Sequence, residues 1–232
     1  MRTVIIQKFD QTNKDLVLQT FVQDFCKNNK SIISNLFYAN NCNITQCMKC
    51  NIRIYNYQIY FFITFPLEEV RKYKSQINQF NFNEVNIFDC FDYDRKINVM
   101  SGDNSMYCNK CKMTCDCQMC TNLVTGPEIL ILILNRGKGI QFNVKMNFLE
   151  YIDLSNYIEY KNTGVNYELI GVITHIGESG MGGHFIAYCR DPLSKKWNKY
   201  NDAIVTDVNN FQNEVINFAM PYLLFYQKIN NN

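Results

Sequence analysis

The chain has 232 residues, 47% hydrophobic and 14% aromatic, and its 23 basic and 21 acidic side chains leave a net charge of +2. Such a composition forms a core and excludes wholesale disorder, and a near-neutral balance without a polybasic block carries no electrostatic footprint for nucleic acid. The longest aliphatic run, residues 129–134, is too short to span a bilayer, and residues 1–8 lack the sustained apolar stretch of a secretory signal.

The 11 cysteines are an odd number without secretory context, so they read as reduced thiols or metal ligands and not as a disulfide scaffold; the chain is expected in the cytoplasm or nucleus, with no nucleic-acid or membrane partner. Residues 15–29 place Leu16, Leu18, Phe21, Val22 and Phe25 at helical spacing, which predicts a helix. The Asn- and Cys-rich residues 40–51 read as a loop or tight turn. Tyr57, Ile59, Phe61, Ile63 and Phe65 alternate along one face of a strand stopped at Pro66. A short helix is expected over residues 85–97, with Val85, Phe88, Phe91 and Ile97, and a buried strand over residues 128–134. Residues 167–176, 184–190, 197–200 and 222–227 are four β segments separated by turn residues, best joined as consecutive antiparallel strands.

Two Cys-x-x-Cys knuckles, Cys47 with Cys50 and Cys108 with Cys111, each offer two thiolates at a spacing that suits one tetrahedral zinc. Residues 51–107 lie between them, a longer separation than in a compact zinc ribbon, so on spacing alone a metal site and free thiols stand as equal readings. Cys115, Cys117 and Cys120 allow a substitute ligand set; small buried or surface thiols are the plainer reading for them, as for Cys26, Cys42, Cys90 and Cys189.

The most informative stretch runs from Gly171 to Cys189, two β segments flanking a glycine-rich loop, with His184 where the loop re-enters the sheet. Gly182 and Gly183 have no Cβ, so the backbone can turn sharply and a substrate chain can pass close by. A histidine fixed at such a strand start can serve as a general base, and Asn201 or Asp202 on a neighbouring strand could hold its tautomer through an oxygen. The plain alternatives are a structural histidine and an ordinary Asn-Asp turn pair; His175 reads as a residue that lines or supports the same loop.

His184 within Gly-Gly-His-Phe-Ile-Ala-Tyr-Cys, then Trp197, then Tyr200-Asn201-Asp202, then Pro221-Tyr222-Leu223-Leu224-Phe225-Tyr226, resembles the histidine box of the ubiquitin-specific proteases, which are papain-like cysteine peptidases. The resemblance extends over residues 15–228. It implies an α+β, mostly antiparallel fold with fingers at about residues 47–125 and a palm at about residues 126–229. It implies that His184 is the catalytic base, Asn201 its orienting partner and Asp202 a supporting group, with Gly182, Gly183 and Tyr200 on the substrate side. It implies a structural zinc on Cys47, Cys50, Cys108 and Cys111, no catalytic cofactor, and ubiquitin or a ubiquitinated protein as partner. The family's Asn-Thr-Cys-Tyr type cysteine box has no match, and the alignment places it and most of the thumb ahead of Met1. The expected function is therefore hydrolysis of the isopeptide bond after the ubiquitin C-terminal glycine, with a catalytically inactive ubiquitin-binding module or a truncated fragment as the alternative.

Overall fold

The computed structural model describes residues 11–78, 83–137, 143–161, 164–177, 182–217 and 220–229. They divide into two compact units, each assembled from discontinuous segments.

The first unit draws on residues 11–60, 95–127 and 156–161. Helix α1, Lys14–Asn28, begins where the Asn13 side chain accepts from the Leu16 N–H. Its buried Val17 and Phe21 stand one turn apart and pack with Cys42, Tyr57 and Val124. A short helix α2, Ile32–Phe37, is capped reciprocally by Ser31 and Ser34. The sheet beneath α1 runs in the order β2-β1-β8-β5, with β1 Ala39–Cys47, β2 Arg53–Tyr60, β5 Asn98–Met100 and β8 Cys117–Leu123. A small hairpin joins β6, Met106–Cys108, to β7, Met113–Cys115.

Strand β1 corrects the expectation of a loop over residues 40–51. It pairs with β2 on one side and β8 on the other, so its backbone groups are satisfied along both edges despite an Asn-rich sequence. Only the stretch between β1 and β2 turns, with Asn51 at φ 57°. The single strand expected over residues 57–65 is likewise two strands. Tyr60 is buried with its hydroxyl donating to the Thr125 carbonyl at 2.7 Å, Phe61 and Phe62 are exposed, and the chain passes into the second unit. Buried Tyr57 and Tyr60 are three residues apart, which breaks the twofold alternation that the sequence suggests.

The second unit draws on residues 61–78, 83–94, 128–137, 143–155, 164–177, 182–217 and 220–229. Its sheet has the order β15-β14-β13-β12-β16-β9-β3. The strands are β3 Ile63–Pro66, β9 Ile129–Asn135, β12 Asn166–Ile176, β13 His184–Arg190, β14 Trp197–Asn201, β15 Ile204–Asp207 and β16 Pro221–Lys228; β11, Tyr151–Asp153, also pairs with β12. Pairing is antiparallel except between β3 and β9. The apolar run of β9 buries Leu130, Leu132 and Leu134 completely, while Ile129, Ile131 and Ile133 are only half-buried, so one face and not both is sealed. Strand β16 inserts between β12 and β9, so the order in the sheet is not the order in the chain.

Helices α3, Leu67–Asn78, and α4, Ile87–Asp94, follow the first strand of this unit. The Asn86 side chain caps α4 by accepting from the Phe88 and Asp89 N–H groups, each at 2.9 Å. Of the helix expected over residues 85–97, only residues 87–94 are helical, and residues 84–86 form a strand, β4, parallel to β10, Lys145–Asn147. Phe65 and Phe91 meet edge to face at 5.2 Å, and both are buried, as are Leu67, Ile87 and Leu132. Among the described residues, no helix is long and apolar enough to cross a membrane.

Tyr226 is completely buried, and its hydroxyl donates to the Leu149 carbonyl at 2.7 Å. Removing that hydroxyl with Tyr226→Phe deletes this hydrogen bond, whose acceptor belongs to the exposed Leu149, and is expected to lower the unfolding free energy by about 0.5–1.5 kcal/mol, read by urea denaturation. Phe65→Ala, which opens a cavity, is expected to cost about 3–5 kcal/mol in the same assay.

Candidate functional site

Three antiparallel strands position the histidine. Register pairs Ile176 of β12 with His184 of β13, and Ala187 of β13 with Tyr200 of β14. Side chains alternate along each strand, so His184 and Asn201 share one face, and Ala187 and Tyr200 share the other. The β14–β15 hairpin pairs Asn201 with Ile204 and turns through Asp202 at φ 51°, a conformation that aspartate tolerates better than most residues. The result is contact between Nε2 of His184 and Oδ1 of Asn201 at 2.5 Å, with a carboxylate oxygen of Asp202 at 3.8 Å from the same nitrogen. An amide oxygen can only accept, so Nε2 donates, and in the neutral ring Nδ1 keeps its lone pair. The His184 side chain is 43% exposed and that of Asp202 81% exposed, so the ring is accessible.

The glycines before His184 differ in what requires them. Gly183 has φ +148°, and a Cβ there would lie 2.3 Å from Cε1 and 2.4 Å from Nε2 of His175 and 2.5 Å from the Ile176 carbonyl oxygen. Gly177, at φ +153°, would bring a Cβ within 2.8 Å of the same ring. The backbone therefore folds directly onto the His175 imidazole, which is buried and meets Phe185 edge-on at 4.9 Å. Around Gly182 a Cβ would find open space. His175 supports the loop entry as the sequence suggests, while Tyr200, half-way out to solvent, stands on the opposite face from Asn201. Glu178, Ser179, Gly180 and Met181 of the loop lie outside the described residues.

The four knuckle cysteines converge. Cys47 closes β1 and Cys108 closes β6, and each is followed four positions on by a residue of positive φ, Asn51 at 57° and Lys112 at 56°. Each of those residues donates its N–H back to the first cysteine's carbonyl, at 2.9 and 2.8 Å. The two knuckles thus have the same form. All four Sγ atoms lie within 4.8 Å of one another, Cys47 to Cys111 at 4.0 Å and Cys50 to Cys108 at 3.6 Å. Four thiolates about 2.3 Å from a tetrahedral zinc stand about 3.8 Å apart, so the donor set fits that ion. The Cys50 N–H pulls the Cys47 thiol down to about 6, the Cys111 N–H lowers Cys108, and the Cys50 thiol raises Cys111. Cys115 and Cys117 are buried beside this group, and Cys117 is the cross-strand partner of Cys47. Cys120 is half-buried within β8, opposite Ile44.

The remaining thiols are scattered. Burial pushes Cys42 up to about 11 and also raises Cys90, while Cys26 and Cys189 are exposed. Among the described residues, the recorded hydrogen-bond and ion-pair partners of His184 are Asn201 and Asp202. A cavity of about 330 Å³ in the first unit, among Phe25, Cys26, Tyr38 and Thr125, contains neither the histidine nor the knuckle residues. Sequence reading missed β15, which pins Asn201, although the β-branched Ile204-Val205-Thr206 signalled it. It also did not foresee the packing of Gly183 on His175, for which a lone glycine pair gives no signal.

Gly183→Ala is expected to lower stability by about 1–3 kcal/mol and to perturb the His184 ring resonances, because both the φ value and the imidazole oppose a Cβ. Gly182→Ala, facing open space, should stay within about 0.5 kcal/mol of the parent in thermal melts with the His184 signals in place.

Similarity to known proteins follows the same lines. The family profile described as ubiquitin carboxyl-terminal hydrolase matches residues 4–226. Ubiquitin carboxyl-terminal hydrolase Usp2 of Drosophila melanogaster is 24% identical over 88% of this chain and 21% of its own length. Ubiquitin carboxyl-terminal hydrolase 2 of Gallus gallus is 27% identical over 85% of this chain and 53% of its own. The chain therefore spans about a fifth to about half of these relatives. Among solved structures, the SAGA Ubp8/Sgf11/Sus1/Sgf73 DUB module bound to ubiquitin aldehyde is similar with TM-score 0.66 and 23% identity, over 94% of this chain and 48% of the other. The same module with a substituted Ubp8, bound to monoubiquitin, gives TM-score 0.70 and 22% identity, over 94% and 47%. The expected α+β, mostly antiparallel papain-like architecture agrees with these neighbours. With residues 4–226 matched, the chain belongs to the ubiquitin carboxyl-terminal hydrolase family, of which it covers part of a ubiquitin-specific protease domain.

Proposed function

We propose that this chain is part of a cysteine-type deubiquitinase and supplies the base side of the reaction. The observation that carries this reading is the 2.5 Å contact between His184 and Asn201. Asn201 holds the imidazole with Nδ1 unprotonated, and that nitrogen takes the proton of a thiol. The thiolate attacks the carbonyl after the ubiquitin C-terminal glycine, a thioester forms, and the imidazolium returns its proton to the departing lysine amine. Water, deprotonated by the same nitrogen, then cleaves the thioester. The Asp202 carboxylate stabilises the imidazolium at a distance. Loop glycines beside His184 suit a narrow diglycine tail.

A second reading is reversible ubiquitin binding without turnover. It is favoured by the recorded partners of His184, which include no cysteine among the described residues. Incubation of the whole protein that carries this chain with ubiquitin bearing a C-terminal thiol-reactive electrophile separates the two. A covalent adduct, mapped by mass spectrometry to one cysteine, is the outcome for the hydrolase; affinity for ubiquitin without an adduct supports the binding module; neither outcome would remove ubiquitin from the proposal. If an adduct forms, His184→Ala is expected to slow it by roughly 100- to 10,000-fold. Asn201→Ala should slow it less than His184→Ala, since Asp202 remains near Nε2, and the pair Asn201→Ala with Asp202→Ala should approach the histidine variant.

Cys47, Cys50, Cys108 and Cys111 are proposed to hold one structural zinc, supported by the mutual approach of their sulfurs. The ion would cross-link the two knuckles. Elemental analysis should find about one zinc per chain, and chelation is expected to lower the melting temperature by roughly 10 °C or more as metal-linked folding energy is withdrawn. An unchanged melt in excess chelator, with no metal found, would count against it.

A further inference from the structure

We infer that Cys115 is a reserve ligand of the knuckle site, held against one edge of the thiol tetrahedron and able to take the place of Cys111. The inference rests on the zinc reading of that site. Cys115 stands outside the group of four mutually neighbouring sulfurs, but its side chain interacts with those of Cys47 and Cys111. These two define one edge, with sulfurs 4.0 Å apart; Cys50 and Cys108 define the opposite edge at 3.6 Å. Cys115 is 7% exposed, and the hairpin register pairs Cys108 with Met113 and Met106 with Cys115. Residues two apart on a strand share a face, so Cys115 projects from the same side of the hairpin as the ligand Cys108. Cys111, by contrast, sits half-buried in the turn, beside Lys112 in its left-handed conformation. Cys115 and its neighbour Cys117 both direct their thiols at a carbonyl two residues back, Met113 at 3.6 Å and Cys115 at 3.5 Å; Cys115 is the one whose side chain is also hydrogen-bonded to those of Cys47 and Cys111.

The exchange balances without a co-reactant. The Cys111 sulfur leaves its metal bond and takes up one proton, and the Cys115 thiol gives up one proton as it forms the new bond. Charge, ligand count and oxidation states are unchanged. Because Cys115 lies over the Cys47–Cys111 edge, it can cover the loss of Cys111 but not that of Cys50 on the opposite edge.

The test is X-ray absorption at the zinc edge of the full chain, which counts sulfur neighbours, combined with competition against a chromophoric chelator. The parent and Cys115→Ser should both show four sulfurs with equal affinity. Cys111→Ser should also show four, with affinity reduced roughly tenfold, whereas Cys111→Ser with Cys115→Ser should show three and a further loss of roughly 100-fold. Cys50→Ser should show three whether or not Cys115 is present. Three sulfurs in Cys111→Ser, or failure of that variant to fold or hold zinc, would overturn the inference while leaving the site itself intact. A parent protein that takes up no zinc would overturn both.

Discussion

An imidazole on a strand end is free to spin about two torsions unless something fixes it, and here the fixing is done by one amide oxygen. The contact from Asn201 to His184 selects which ring nitrogen carries hydrogen and which is left to accept a proton. Everything that brings the two residues together is backbone: the β12–β13 register, the β13–β14 register and the hairpin into β15. A slip of one residue in the β13–β14 ladder would send one partner to the other face. The buried side chains of the sheet therefore act on the site indirectly, by making that slip expensive.

The knuckle cluster solves a different problem. Residues 51–107 separate its two halves, and the hairpin that carries the second is only two three-residue strands. So short a hairpin is marginal by itself. Two turns of the same form bring four thiols from the two halves within reach of one ion, and the surrounding cysteines pack against them.

Much of this was legible in the sequence because it depends on local chemistry. The helix at α1, the strand at β9, the strands around His184 and the ligand spacing Cys-x-x-Cys all follow from periodicity or from fixed offsets. The errors share a cause. Residues 40–47 look like a loop by propensity, yet two neighbouring strands satisfy their backbone, and no single-chain pattern records that pairing. The break after Tyr60 falls in an unbroken aromatic alternation because the chain changes sheets there. The clash that makes Gly183 necessary depends on His175, eight residues away and across a loop.

The division into two units has a bearing on how such a chain can be handled. Each unit is drawn from three separate stretches, with the crossings at residues 60–61, 94–95, 127–128, 155–156 and 163–164. Pairings such as β3 with β9, or β1 with β8, join segments some seventy positions apart. Ordering those strands requires closing large loops before any hydrogen bond repays it, which favours slow acquisition of the native topology. No single cut liberates either half, so trimming, tagging or grafting must respect five junctions at once. Exchange of one half between relatives becomes a multi-site transplant, and surface tips between strands are the sites where insertions are best accommodated.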